Sequence, residues 1–130
     1  MKILITGSNF FTDESVIEKA FDTWAPKDTP ITLIEGECPG ADLLCKKIAL
    51  ARGWKVEEYP PGAGANHNQT MVDQEPDVAI AFYNKGRTCW GTSDTVERAI
   101  KAGIPLHVYY QESYGSKYFP DMVEDEDDNF

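Results

Sequence analysis

The sequence predicts an α/β fold, a three-layer sandwich with a mostly parallel five-stranded sheet. Two observations lead to this prediction. Short apolar runs of strand length alternate with segments of helical periodicity through residues 1–112. Three of these apolar runs end abruptly at loops that contain glycine. Strands that alternate with helices are joined by crossovers and lie parallel in one sheet, with helices on both faces.

The first strand and the first helix carry clear signals. Residues 2–6 form a continuous apolar run, which is typical of a strand buried on both faces. Residues 13–24 have apolar side chains at helical spacing, and Thr12 precedes them as the expected N-cap. Two prolines then bound the connection to the second strand at residues 31–34.

The remaining elements continue the alternation. The second helix, residues 41–52, ends before Gly53, because glycine is favoured just after a helix C-terminus. A short third strand at residues 55–59 leads through a flexible glycine-rich loop to a short helix at residues 66–73. The last elements are a strand at 78–83, a helix at 93–102 and a strand at 106–110. The predicted architecture is a Rossmann-like sandwich.

Ligand binding is expected where the first, second and fourth strands end, since open α/β sheets bind ligands beyond the carboxyl ends of their strands. Glycines there let backbone N–H groups approach an anion, and Ser8 and Thr92 offer hydroxyls. Lys85 and Arg87 are the only cations in these loops, and Arg87 suits bidentate pairing with phosphate. The alternatives are that both cations are merely solvated and that the glycines serve turn geometry alone.

Two ring side chains are further candidates for ligand contact. His67 begins the short helix near this edge, whereas His107 lies within a strand and is expected to be structural. Trp90 precedes a loop glycine and is a candidate for stacking on a base. The alternative is an association surface, because Phe10, Phe11 and the three tryptophans exceed what a small core needs.

Composition restricts the class of protein. No apolar run approaches the length of a transmembrane helix and no secretory signal is recognisable, so a cytoplasmic location without membrane binding is expected. Cys38, Cys45 and Cys89 form no metal-ligand spacing and are expected to be reduced thiols, with Cys45 in the core. The P-loop pattern is missing from the sequence. Neither a metal nor a cofactor is predicted.

Charge is concentrated at one end of the chain. The net charge is −10, and residues 113–130 carry half of it through six acidic residues and one lysine. This segment is expected to be a flexible, solvated acidic tail following a domain at residues 1–112. A tail that binds a partner or mimics a nucleic acid is the alternative. Direct nucleic-acid binding is not expected, because the chain has no basic patch to meet the phosphate backbone.

The loops, taken in order, resemble those of the SLOG superfamily. The stretches that carry the resemblance are Thr-Gly-Ser at 6–8, residues 35–42, residues 68–73 and residues 91–99. They are similar to the short YspA-like (YAcAr) members, which are frequent in bacterial and phage genomes. The resemblance covers residues 1–110. It implies a Rossmann-like fold that binds nucleotides or nucleotide-derived ligands, and it leaves homo-oligomerisation through helices open.

The resemblance also implies positions for the site. Gly7 and Ser8 would line the first loop and Gly91 and Thr92 the phosphate-facing loop, with the second loop formed by residues 36, 40, 41 and 42. Relatives commonly have a basic and an acidic residue where Asn9 and Phe10 stand here. The complete set of predicted ligand-binding residues is Gly7, Ser8, Asn9, Gly36, Gly40, Ala41, Asp42, His67, Asn68, Lys85, Arg87, Trp90, Gly91 and Thr92.

The resemblance leaves turnover open. The LOG phosphoribohydrolases of this superfamily have a catalytic glutamate three residues after the loop threonine, where this chain has Thr95. Binding or sensing of a nucleotide-derived small molecule is therefore the favoured hypothesis. An N-glycosidic hydrolase is the alternative, with Glu35, Asp42 or Asp94 as its acid or base. A third hypothesis is an interaction protein that acts through the acidic tail.

Overall fold

A five-stranded, all-parallel sheet forms the middle layer of the fold, which confirms the predicted class. The computed structural model describes residues 1–62, 66–87 and 89–112. The strands are β1 (Lys2–Gly7), β2 (Thr32–Glu35), β3 (Lys55–Glu58), β4 (Val78–Asn84) and β5 (Leu106–Gln111). The helices are α1 (Glu14–Trp24), α2 (Ala41–Ala51), α3 (His67–Val72) and α4 (Trp90–Lys101). The predicted acidic tail and most of the predicted flexible loop lie outside the described residues.

The strand order is β3-β2-β1-β4-β5, so the continuously apolar β1 lies at the centre. Its register with β4 pairs Ile5 with Ile80 and Gly7 with Phe82. After β3 the chain returns to the other side of β1 to form β4, which makes the gap between β1 and β4 the point where the strand order reverses. In open parallel sheets such a reversal leaves a crevice at the carboxyl edge.

The core has two parts, one on each face of the sheet. On one face, β1 and β4 side chains pack with those of α1 and α2 around Phe11 and Phe21, both fully buried. On the other face, Leu4 and Ile34 pack with Met71 of α3 and Ala99 of α4. Apolar residues at both strand faces therefore bury the sheet between two helical layers. In the described ranges, no helix has the length and apolar character required to cross a bilayer.

Two helix starts differ from the sequence prediction. Asp13, not Thr12, caps α1, since its carboxylate accepts from the backbone N–H groups of Ser15 and Val16. The Thr12 hydroxyl is occupied by a hydrogen bond from Gln111. The second difference is that α4 begins at Trp90, three residues earlier than predicted, and its first turn replaces part of the expected loop. Glycine and threonine are weak helix formers, so their presence there hides that turn from a periodicity analysis.

Most of the aromatic surface predicted from the sequence is absorbed by the core. Phe11 is fully buried, and Trp24 and Trp54 pack against the same cluster. Trp24 also stacks on His107 of β5, in keeping with a structural role for that histidine. Phe10 and Trp90 remain exposed, at 44% and 77%.

Gln111, at the end of β5, fixes the start of α1. Its Oε1 accepts from the backbone N–H groups of Thr12 and Asp13 at 2.7 and 2.9 Å, and it is 7% exposed. Replacement of Gln111 by alanine leaves both donors without this acceptor, so we expect the free energy of unfolding to fall by about 2 kcal/mol. Urea denaturation measures the loss.

The control for this prediction is Glu112→Ala, which removes an exposed ion pair with Lys85. That change is expected to cost no more than about 0.5 kcal/mol, because exposed ion pairs contribute little. Equal losses in the two variants would contradict the role given to Gln111.

Candidate ligand-binding site

A cavity of about 420 Å³ lies at the carboxyl edge of the sheet, where β1 and β4 end and the strand order reverses. Eight of the predicted ligand-binding residues line it: Gly7, Ser8, Asn9, His67, Asn68, Trp90, Gly91 and Thr92. A larger cavity of about 830 Å³ lies at the opposite edge, between the end of α1 and the residues that precede β2 and β3. That second cavity contains none of the predicted residues, and its position at the amino ends of the strands is not where such sheets bind ligands.

The loop after β1 is rigidly held by its own backbone. The Ser8 N–H donates to the carbonyl of Phe82 in β4 at 2.8 Å, and the Ser8 carbonyl accepts from Phe11 and from Ala41 at the start of α2. The Ser8 hydroxyl accepts from the N–H of Phe10 at 3.0 Å. These bonds tie the loop to its neighbours on both sides, so the cavity wall formed by residues 6–10 is preorganised.

Two predicted glycines serve this close packing. A Cβ on Gly7 would lie 2.8 Å from the Phe82 carbonyl oxygen and closer still to Ala41. A Cβ on Gly40 would lie 2.5 Å from the Asn9 backbone, and Gly40 has a φ of +81°. Gly40, Ala41 and Gly36 lie behind the cavity wall and do not line it. The loop after β2 therefore supports the site from outside.

Asp42 holds the loop between β2 and α2. It is 5% exposed, and its Oδ2 accepts from the backbone N–H groups of Gly36 at 3.1 Å and Cys38 at 3.4 Å. Burial raises its pKa to about 7, although these two hydrogen bonds favour the ionised form. Asp42 does not line the cavity. Asp42 therefore stabilises the backbone of this loop through its two hydrogen bonds.

Glu35, at the end of β2, is completely buried. Its Oε1 accepts from the backbone N–H of Glu37 at 2.7 Å. Burial, reinforced by the neighbouring Glu37 side chain, raises its pKa to about 9, so Glu35 is neutral at pH 7. It also lies outside the cavity lining. Glu35 therefore presents no negative charge to an anion bound in the cavity.

Glu35 belongs to a cluster of three glutamates, found among the described residues, whose carboxyl groups have the spacing of a metal site. Oxygens of Glu35, Glu37 and Glu58 lie within 4.8 Å of one another. The ammonium of Lys46 contacts Glu37 at 3.1 Å and Glu58 at 2.6 Å. The pKa of Lys46 is raised by these contacts, first by Glu58. A lysine thus already pairs with two of the three carboxyl groups, as in an ion-pair network.

The first turn of α4 forms the other wall of the cavity. Trp90, Gly91 and Thr92 are its first three residues. The N-cap Cys89 makes no side-chain hydrogen bond to their backbone N–H groups, but its Sγ lies 2.8 Å from the Thr92 hydroxyl oxygen. A Cβ on Gly91 would meet no atom within 4 Å, so packing does not require glycine there. Helix N-termini carry partial positive charge and present N–H groups that suit an anion. This turn is therefore the best-placed anion-binding element of the cavity.

Asp94 lies one turn further along α4 and does not line the cavity. Its Oδ2 accepts from Arg98 Nε and from Asn68 Nδ2, each at 2.8 Å. The hydrogen bonds from Arg98 and then Asn68 lower its pKa, so it is ionised at neutral pH. A carboxylate held in this way is suited to fix the side chains around it.

The predicted cations do not enter the cavity lining. Lys85 pairs with Glu112 at 3.1 Å, and the Arg87 guanidinium lies over the Phe10 ring, 4.2 Å from its centroid. Phe10 itself lines the cavity, which places Arg87 at the rim.

His67 lines the cavity and its Nε2 is hydrogen bonded to the Tyr59 carbonyl. None of the described lining residues is Lys, Arg, Asp or Glu.

Five lining residues were not among the predicted binding residues: Thr6, Phe10, Cys38, Pro61 and Cys89. Cys38 and Cys89 stand in the glycine loops, so their position in sequence offered a signal. Pro61 offered none, because it follows β3, an outer strand of the sheet. Cys45, by contrast, is fully buried in the core, as predicted.

Comparison with known proteins gives one family. The model of the YspA, cpYpsA-related SLOG family (YAcAr) matches residues 1–64. The match covers β1 to β3 and includes the loops after β1 and β2, whereas α3 and α4 follow it. No curated protein and no solved structure matches the chain significantly.

Proposed function

We propose that this chain, which belongs to the YspA-related SLOG family, binds a nucleotide or nucleotide-derived ligand in the 420 Å³ cavity. An anionic group of the ligand lies against the first turn of α4. The observation that carries the proposal is that turn itself, which has no side-chain cap and has a glycine that packing does not require.

The size and lining of the cavity support a nucleotide. Its volume falls within the range of about 300–1,000 Å³ that is usual for small-molecule sites. Phe10 and the exposed Trp90 flank it, and aromatic faces of this kind stack on bases. Because the described lining has no Lys or Arg side chain, backbone N–H groups and hydroxyls would hold the anion, with Arg87 at the rim.

Binding without turnover is favoured over hydrolysis. A general acid or base has to lie within hydrogen-bond reach of the reacting atoms, and none of the three predicted acid–base residues, Glu35, Asp42 and Asp94, lines the cavity. The position of the LOG glutamate is held by Thr95, whose hydroxyl donates to the Gly91 carbonyl at 3.0 Å. Glu35 and Asp42 are bonded to loop backbone, and Asp94 is paired with Arg98.

The proposal is tested by thermal unfolding with AMP, ADP-ribose, NAD and cyclic dinucleotides. A ligand present at 100 times its Kd stabilises the folded protein by about 2.7 kcal/mol, which raises Tm by several degrees in a domain of this size. Chromatography of the same mixtures should return the nucleotide unchanged. Absence of a shift with every member, in folded and ligand-free protein, would contradict the proposal, and appearance of a cleaved product would favour the hydrolase.

Gly91→Ala separates ligand binding from folding. Alanine is the better helix former and its Cβ meets open space, so stability is expected to rise by about 0.5 kcal/mol. The same methyl group projects near the anion, and we expect Kd for the bound nucleotide to rise at least about tenfold. Ser93→Ala, in the same turn but outside the lining, is the control. Unchanged affinity in Gly91→Ala would contradict the placement of the anion.

A further inference from the structure

Asn68, the second residue of α3, lines the cavity, and the orientation of its carboxamide is set by hydrogen bonds to α4. Its Nδ2 donates to Asp94 Oδ2 at 2.8 Å and reaches the Gly91 carbonyl at 3.5 Å. A carboxylate only accepts hydrogen bonds, so the nitrogen of the amide has to face Asp94. The carbonyl oxygen of Asn68 is therefore the part of the group left for a ligand.

Asp94 is itself held in place. Arg98 Nε donates to the same Oδ2 at 2.8 Å, one turn along α4, and Arg98 also donates to Gln69 Oε1 in α3 at 2.9 Å. Two hydrogen bonds thus join α3 to the ion pair of α4, one from Asn68 and one to Gln69. Since charge-assisted bonds of this kind are the stronger ones, the pair holds Asn68 against rotation.

We propose that Asn68 determines ligand specificity by accepting a hydrogen bond from a ribose hydroxyl, and that Asp94 and Arg98 are positioning residues that present its carbonyl oxygen. The inference rests on the proposed function and names the part of the ligand that is read. Asp94 then acts through Asn68 and not on the ligand itself.

A ribose hydroxyl fits this acceptor better than the other parts of a nucleotide. Phosphate oxygens at neutral pH are acceptors and gain nothing from a second acceptor. Base amines are donors, but Asn68 lies next to Gly91, at the end of the cavity assigned to the anion. The ribose is the unit bonded directly to the phosphate, so its hydroxyls come within reach there. An uncharged hydrogen-bond acceptor in a partly buried site discriminates against ligands that lack the matching donor.

The test compares AMP with 2′-deoxy-AMP and 3′-deoxy-AMP by calorimetry. The wild-type protein should bind AMP about three- to tenfold more tightly than at least one deoxy analogue, the size expected for one hydrogen bond. Asn68→Ala should lose this preference. Asp94→Ala should lose it too, whereas Asp94→Asn, which keeps an acceptor oxygen, should retain part of it. Glu97→Ala removes an exposed carboxylate of the same helix and should leave the preference unchanged.

A ratio of affinities is the deciding measurement, because a purely structural change would weaken all three nucleotides together. Equal binding of the three by the wild type, or an unchanged preference in both Asn68→Ala and Asp94→Ala, overturns this inference while leaving the proposed function intact. Failure of AMP to bind the wild type overturns it as well. Failure of every nucleotide named under the proposed function overturns both.

Discussion

Gly40→Ala is expected to lower the free energy of unfolding by about 4 kcal/mol, the largest effect of any single methyl group considered for this chain. Gly40 precedes α2 with φ +81° and ψ −126°, a backbone conformation that L side chains rarely adopt. The added Cβ would also lie 2.5 Å from the Asn9 backbone and closer still to the Ser8 carbonyl. Neither obstacle is a flexible side chain, so the loop after β1 or the start of α2 has to move.

Gly53→Ala is the matched control for that change. Gly53 has nearly the same φ, +80°, but a Cβ there would meet no atom within 4 Å. Its replacement should cost only the backbone term, about 1 kcal/mol. Urea denaturation of both variants measures the difference, which contains the steric clash together with the strain of the Gly40 ψ of −126°. Equal losses would mean that the loop after β1 yields without cost, contrary to the rigidity inferred from its hydrogen bonds.

Glu35→Gln is expected to stabilise the protein at pH 8 by roughly 3 kcal/mol or more and to leave it unchanged near pH 4.5. The folded-state pKa of Glu35 is about 9, against an ordinary value of 4.5. Below pH 4.5 the carboxyl is protonated in both states. Between pH 4.5 and about pH 9 the unfolded chain releases the proton and the folded protein keeps it, so rising pH favours unfolding.

The same difference in pKa between the folded and unfolded states determines how steeply the free energy of unfolding changes with pH. The contribution of Glu35 should reduce the free energy of unfolding by up to ~1.4 kcal/mol per pH unit, until the folded-state pKa is passed. Glutamine keeps the oxygen that accepts from the Glu37 N–H and replaces the acidic proton with an amide donor. Burial also raises the pKa of Asp42, from 3.8 to about 7, so Asp42 likewise lowers the free energy of unfolding as pH rises through this range. This contribution is present in both the wild type and Glu35→Gln, and it cancels when their stabilities are subtracted.

The measurement is urea denaturation of wild type and Glu35→Gln from pH 4.5 to 8. Glu97→Gln, which removes an exposed carboxylate on α4, controls for the change in net charge. A stability difference that stays constant over this pH range would mean that Glu35 is ionised in the folded protein. In that case the cavity would have a buried negative charge behind its wall, and the proposed anion site would lose support.

The layered architecture was readable from the sequence because it depends on local patterns. A continuous apolar run identifies β1 as a strand covered on both faces. The spacing of apolar residues identifies α1 and α2, because the buried face of a helix repeats every three to four residues. The carboxyl edge could also be predicted as the place of the site, because parallel strands all end at the same edge. These predictions need only neighbours in the chain and the rules of sheet topology.

Other properties were decided by residues far apart in sequence. The glycines looked alike in the sequence, yet Gly40 is required by the approach of residues 8 and 9, while Gly91 faces open space. Glu35 and Asp94 both resembled acid–base candidates, yet burial neutralises Glu35 and Arg98 with Asn68 holds Asp94 ionised.

What the sequence by itself determined was therefore the order of the elements, the central apolar strand and the edge at which a ligand is expected. Only the tertiary structure decided which residues line the cavity, which carboxyl groups are neutral and which way the Asn68 amide points. The physical reason is that secondary structure follows the periodic burial of nearby side chains. Protonation, steric exclusion and hydrogen-bond direction depend instead on atoms that the fold brings together from separate loops.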